Sequence, residues 1–420
     1  MTGGQQARGG RPQQAGGSGM DQVRVARAAL SRLFEPLDPV GTLLVEAFGP
    51  AEALRIAAGR APAEEVGALA SSLQGAAGAD HGDASGPRAA AARPGALASA
   101  LERWAPRVPH LAPERDLEAM ARLGGRLVIP EDAEWPAGLL GLGAEGPLCL
   151  WVRGDESLPA AERSVAIVGS RDATGYGISV AGELARGMAD LGLTVVSGGA
   201  YGVDGQAHRA ALTSCTPAVP TVAVMAGGVD RYYPSGNEEL LREVARRGHL
   251  VSELPPGASP SKHRFLKRNR LIAALSALTV VVEARWRSGA LSTARRAADL
   301  GRLVAAVPGS VYSANSAGCH RLLRDGAACV TDAKEAYELV APSGEGLTED
   351  PEGQVRAHDG LSLVDLMVLE ALPVRRGAGV ESLAVVAGLS EAEVRAALGR
   401  LCLVGLCERS EGGWRRSRKG

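Results

Sequence analysis

Between residues 164 and 307 the apolar residues fall in short unbroken runs separated by longer amphipathic stretches. The runs are Ser164–Val168, Leu193–Ser197, Thr221–Ala226, His249–Ser252, Leu278–Glu283 and Leu303–Val307, and Pro147–Val152 precedes them. They are rich in Val, Ala, Ile and Leu and do not alternate with polar residues, as expected of parallel strands buried on both faces. Helix-period segments lie between them near 176–191, 203–213, 237–247, 265–276 and 290–300. This alternation predicts an α/β fold with a doubly wound, mainly parallel, Rossmann-like sheet over 127–340. Ligands of such sheets bind at the carboxyl ends of the strands.

The flanks have other patterns. Over 21–125 the period is helical: Val23, Ala26, Ala29, Leu30, Leu33 and Phe34 share one face, and a helix over Val40–Phe48 stops at Gly49-Pro50 and restarts over 51–58. Two short helices about a glycine turn can grip a DNA backbone, but a plain helical bundle is the favoured reading. Residues 75–98, rich in Ala, Gly, Asp and Pro, read as a flexible insertion. Residues 1–20 have almost nothing to bury and are predicted to be disordered, with Met20 an alternative start. Residues 341–358 read as a linker. Beyond it, helical patterns over 362–372, 380–387 and 391–401, with Ser390 as N-cap, and a Gly412-Gly413-Trp414 turn predict a small winged-helix domain over 359–414, followed by a basic tail over 415–420.

Composition narrows the class. The chain has 420 residues, 45% of them apolar and only 3% aromatic, so Ala, Val and Leu must build the cores. The formal net charge is -1, and only local clustering argues for a polyanionic partner. The six cysteines form no Cys-x-x-Cys pair, which predicts reduced thiols, a cytoplasmic setting and no metal. No apolar run is long enough for a membrane span.

The densest local charge is Lys262-His263-Arg264-Phe265-Leu266-Lys267-Arg268-Asn269-Arg270, with no acid and one ring among the cations. Cations pair with phosphates and an aromatic face stacks on an unpaired base, although a solvated helix face accounts equally well for the composition. Glycine-rich turns tip the balance. The first strand runs into Gly169-Ser170-Arg171 and Thr174-Gly175, a helix start with free N–H groups and an arginine beside it. It is neither a dinucleotide fingerprint nor a Walker loop. The second strand runs into Ser197-Gly198-Gly199-Ala200-Tyr201-Gly202-Val203-Asp204, with Asp204 as a candidate N-cap and His208 more simply a packed histidine than a base. Ser288-Gly289 opens a third helix. These starts and the basic stretch are expected to meet at one sheet edge as an open phosphate-binding surface.

These motifs come in one order and spacing over roughly 127–335. Val168-Gly169-Ser170-Arg171, Ser197 to Asp204 with Ala207-His208, Tyr233-Pro234, Ser252-Glu253, Phe265 with Arg268-Asn269-Arg270, Val282-Glu283-Ala284, Ser288 to Ala294, Gly301-Arg302 and Val307-Pro308-Gly309 together resemble the DNA-processing protein A (DprA/Smf) family. The resemblance extends to flanking domains, here an N-terminal helical domain of the SAM or helix-hairpin-helix type. It implies a homodimer that binds single-stranded DNA and helps load the RecA recombinase in transformation, with no catalytic activity and no cofactor. Its DNA pocket carries over to Gly169, Ser170, Arg171, Phe265, Arg268, Asn269 and Arg270. Lys262 and Lys267 join on charge, and Gly198, Gly199, Ser288 and Gly289 as anion seats. Three positions depart from the family: Leu266 stands where a proline is common, Gly199 where a bulkier residue is usual, and Tyr201 where a cation is usual. Two other classes stay open. One is an enzyme related to nucleoside monophosphate phosphoribohydrolases, using Glu283 or Asp204, although the acid of that group's Pro-Gly-Gly-x-Gly-Thr-x-x-Glu turn is missing. The other is an adaptor that works through its C-terminal domain.

Overall fold

The structure, a computed structural model, describes residues 15–78, 90–91, 93–341 and 361–417. They divide between two compact units, Met1–Leu347 and Thr348–Gly420.

The first unit begins with helices α1 (Ala15–Leu33), α2 (Pro39–Ala57), α3 (Ala63–Gly78), α4 (Ala96–Trp104) and α5 (Pro113–Arg122). The first helix thus starts within the stretch predicted to be disordered, and α3 continues into the predicted insertion; residues 1–14, 79–89 and 92 lie outside the described residues. The predicted stop at Gly49-Pro50 is a break inside α2, where Gly49 takes φ 78° and ψ 166°. A left-handed φ is cheap only for glycine. Asp38 fixes the corner before α2. Its carboxylate accepts from the Val40 and Gly41 amides and from the Trp104 indole, and the Phe34 and Trp104 rings lie 4.4 Å apart.

This helical region has a core of its own, with Leu30, Leu33, Leu44, Ile56 and Trp104 in it, and also packs on the sheet. Ala28 of α1 and Met120 of α5 share a core with Leu127, Trp151, Leu241 and Leu250 of the sheet layer. Arg24 and Arg27 of α1 reach across to Asp132 and Glu131, each at 2.7 Å. These side chains explain the amphipathic stripe of α1, whose apolar face covers the antiparallel end of the sheet.

The sheet has nine strands among the described residues: β1 (Gly125–Val128), β2 (Leu150–Arg153), β3 (Ser164–Val168), β4 (Thr194–Ser197), β5 (Thr221–Val224), β6 (His249–Ser252), β7 (Leu278–Val281), β8 (Leu303–Ala306) and β9 (Ala328–Cys329). Their order is β1-β2-β6-β5-β4-β3-β7-β8-β9. From β6 to β9 all neighbours are parallel, and β1 and β2 add an antiparallel end. This is the predicted mainly parallel, doubly wound α/β fold. Successive residues of β3 enter opposite cores, Ala166 and Val168 on one face, Val165 and Ile167 on the other. The connecting helices are α6 (Gly175–Asp190), α7 (Val203–Ala211), α8 (Glu238–Arg247), α9 (Lys262–Ala274), α10 (Gly289–Asp299), α11 (Ala317–Arg324) and α12 (Ala333–Glu338). Strand order reverses between β3 and β7, which opens a crevice at their carboxyl ends. No described helix is long and apolar enough to cross a membrane.

In the second unit α13 (Leu363–Ala371), α14 (Val380–Ala387) and α15 (Glu391–Leu403) precede a hairpin of β10 (Cys407–Ser410) and β11 (Gly413–Arg416). Ser390 caps α15 with a reciprocal bond from Glu393, a capping box. The predicted linker, beyond Ala341, and the last residues of the basic tail lie outside the described residues.

Candidate nucleic-acid interface

The basic stretch opens a helix. Ser261 caps α9, its hydroxyl accepting from the Arg264 amide, and the first turn carries Lys262, His263 and Arg264 with no acid. Cations at a helix N-terminus oppose the helix dipole. A local rule broken in this way is expected at a binding site, where an anionic ligand relieves the repulsion.

One side of α9 faces the crevice. Phe265 lies there half-buried, with the Arg171 guanidinium 4.9 Å from its ring centroid, that of Arg268 5.8 Å away and the Tyr233 ring at 5.7 Å. Around it is a cleft of about 600 Å³, lined on its sheet side by Gly169, Ser170, Ala200 and Asp204 and on its far side by Arg285, Arg287, Ser288 and Gly289. Lys262 stands exposed at the rim. Asn269 joins the two walls, its amide donating to the Gly289 carbonyl at 3.2 Å. Nine of the predicted residues therefore meet in one place: Gly169, Ser170, Arg171, Lys262, Phe265, Arg268, Asn269, Ser288 and Gly289.

The other four do different work. Arg270 is buried, with both terminal nitrogens on the Glu253 carboxylate at 2.7 and 2.6 Å and Nε on the Glu145 carbonyl. It is a core ion pair, not a phosphate contact. Lys267 points away to the Pro36 carbonyl, and burial pushes its ammonium below the usual lysine range. Gly198 and Gly199 lie under the cleft rather than in it. A side chain at Gly198 would place its Cβ 2.1 Å from Arg268 Nη1, so this glycine makes room for the buried guanidinium. Gly199 supplies φ 69° for the turn and lies against Leu241.

Two of the predicted anion seats are filled by the protein itself. At the start of α6 the Thr174 amide and hydroxyl both donate to Glu283, which is 1% exposed. Asp204 is not an N-cap; it lies in the first turn of α7, after Gly202. Burial pushes its carboxyl up, against the Arg268 charge and the Ala200 and Gly198 amides. The start of α10, capped by Ser288, is the seat that opens on the cleft. Arg285 and Arg287 were not among the predicted contacts. The loop after β7 reads Arg-Trp-Arg, and its place at the strand-order reversal is the signal that would have found them.

His208 is packed in the core, the simpler of its two readings. Thr221 Oγ1 donates to the Val195 carbonyl and so accepts from His208 Nδ1 at 2.7 Å. Burial pushes the imidazole down to about 3, and His249 shifts the same way for the same reason. His208 is neutral in the folded protein down to about pH 3, while the unfolded chain takes up its proton near pH 6.5. Between those values stability should therefore fall with pH by about 1.4 kcal/mol per pH unit for His208, and His249 acts in the same direction. Urea midpoints at descending pH check this, and His208→Gln should shallow the slope by about one proton. Among the described residues no group of three His, Cys, Asp or Glu is arranged to hold a metal.

A profile of the family described as DNA recombination-mediator protein A matches residues 126–341. A Mycobacterium tuberculosis protein carrying the name DprA is 49% identical over 316 residues, 73% of this chain and 80% of its own. The DNA processing protein DprA of Bacillus subtilis is 33% identical over 254 residues, 60% of this chain and 82% of its own. The X-ray structure of DNA processing protein A from Streptococcus pneumoniae superposes with a TM-score of 0.55 at 26% identity, covering 76% of this chain and 97% of that one.

Proposed function

The chain belongs to the DNA recombination-mediator protein A family, and from that premise we propose that it binds and protects single-stranded DNA in the cleft at the carboxyl edge of its sheet and helps load RecA onto that strand during DNA uptake and recombination. The observation that carries this reading is the Phe265 ring, set beside the Arg171 and Arg268 guanidiniums in an open cleft. A half-buried ring offers one face to a base, and the surrounding guanidinium and ammonium groups meet the phosphates on either side. A paired base is stacked in its helix and cannot enter such a cleft, so the geometry selects unpaired strands.

The protein acts without catalysis in this reading. Glu283 is spent on the α6 start and His208 is locked neutral in the core, which leaves Asp204 as the carboxyl group facing the cleft. A nucleotide-hydrolysing enzyme would need that group to work alone. The proposal includes a cytoplasmic homodimer and a winged-helix identity for residues 359–414.

Anisotropy titrations with a labelled single strand and its duplex test the reading. Affinity for the strand should exceed that for the duplex by at least roughly tenfold and fall with salt with a log–log slope of about -0.7 per phosphate neutralised. RecA filaments should form faster on a strand covered with single-strand-binding protein when the protein is added. Equal affinity for both DNA forms, or turnover of nucleoside monophosphates with no DNA binding, would overturn it.

A further inference from the structure

The basic helix is held from behind. Arg264 and Lys267, one turn apart, share the face of α9 that turns from the cleft, and both reach the corner between α1 and α2. The Arg264 guanidinium donates through Nε and Nη2 to both Glu35 oxygens, at 3.0 and 2.8 Å. Arg107 donates to the same carboxylate at 2.9 Å and to the Leu33 carbonyl at 2.9 Å. Lys267 donates to the Pro36 carbonyl. Arg32, paired with Asp116, donates at 2.9 Å to the Pro256 carbonyl, in the segment that leads into α9. At this corner Leu37 takes φ 60°, a left-handed value that strains a residue with a side chain. Such a turn persists only where its surroundings over-determine it. The corner is thus a fixed part of the fold, and it grips α9 and its approach at Pro256, Arg264 and Lys267.

We propose that Glu35 is a positioning residue for single-strand binding: the α1–α2 corner braces α9 from the side away from the cleft and holds Phe265 ready for a base, without itself touching DNA. The inference rests on the single-strand reading above. Two features carry it. Each braced residue is the chain neighbour of a cleft residue, Arg264 of Phe265 and Lys267 of Arg268, so a shift at the brace is a shift in the cleft. The first turn of α9 holds cations and no acid, against the helix dipole, and Glu35 supplies the missing negative charge from another element. A helix ordered before the strand arrives loses less freedom on binding. The brace also predicts a sign that charge alone does not. A carboxylate beside a phosphate-binding helix repels the strand, so its removal would raise affinity if Glu35 acted only as a charge. As a brace, its removal lowers affinity.

The test compares wild type, Glu35→Ala, Arg264→Ala and the double variant, each shown to be folded by thermal unfolding, in anisotropy titrations with a short oligothymidylate. Each single variant should lose affinity by roughly three- to tenfold. The double variant should lose no more than either, because both changes break one contact. The salt slope should stay at its wild-type value in all three, since no phosphate partner is removed. Amide hydrogen exchange over residues 262–268 should speed up in Glu35→Ala, with that of β3, β4 and β5 unchanged. A residue that served only global stability would not produce this local change. Affinity in Glu35→Ala equal to or above wild type would overturn the inference while leaving the Phe265 cleft standing. So would a slope lowered by about 0.7 in Arg264→Ala, which would make Arg264 a phosphate contact, or lost affinity with no faster exchange in α9. A wild type that binds no single strand would overturn the single-strand reading itself, and this extension with it.

Discussion

Glu253→Ala should destabilise the protein by about 3–5 kcal/mol, because it strands a buried cation. Arg270 is 1% exposed, and its guanidinium is satisfied by both Glu253 oxygens and the Glu145 carbonyl. Removing the carboxylate leaves two charge-assisted bonds unmade in a site water does not reach. The loss should appear as a lower urea midpoint. Glu253→Leu/Arg270→Met, which removes both charges together, should recover much of it. DNA affinity of the folded Glu253→Ala protein should stay close to wild type. A variant with normal stability and lost DNA binding would return Arg270 to the interface.

This pair shows where reading the sequence stops. Arg268 and Arg270 sit two residues apart in one basic run, and composition treats them alike. On a helix they point about 200° apart. One approaches the Phe265 ring and the other enters the core against the loop after β6. The partners that decide this, Glu253, Glu145 and Val224, are remote in sequence and come close only through the crossover to α9. Lys267 turns from the cleft in a way composition does not show, since its acceptor Pro36 belongs to the loop after α1. Glycines mislead in a similar way. Gly177 is small because Glu283 lies against it, with an added Cβ only 2.4 Å from the carboxylate, not because a ligand approaches.

What was legible followed from local patterns. The runs Ser164–Val168 and His249–Ser252 are strands over those same residues, because an unbroken Val/Ile/Leu run has few alternatives to a buried parallel strand. The α15 start was readable from Ser390, whose cap is a local contact. The two end strands were missed. β1 (Gly-Arg-Leu-Val) and β9 (Ala-Cys) are short, and partners set them more than composition does. The Phe265 cleft was legible in part, because Gly169-Ser170-Arg171 and Phe265 each end on the carboxyl edge that a doubly wound topology dictates.

The largest functional effect should come from Phe265→Ala. The ring makes the floor on which a base stacks, and it also holds Arg171 in place through its face. Stacking contributes about 1–3 kcal/mol per base, so affinity for single strands should fall roughly five- to a hundredfold. The salt slope should change little, because no cation is lost. Arg171→Ala should behave differently, weakening binding and lowering the slope by about 0.7. Thermal unfolding of each variant separates these losses from any loss of fold, since both side chains keep some solvent contact.

The measurement that bears most directly on the account is therefore a salt-resolved anisotropy titration of one short single strand with wild type, Phe265→Ala and Arg171→Ala, all shown to be folded. The account predicts weakened binding by both, with a flattened salt slope for Arg171→Ala alone. Wild-type affinity and slope in both variants would contradict it, and would place the DNA surface outside this cleft.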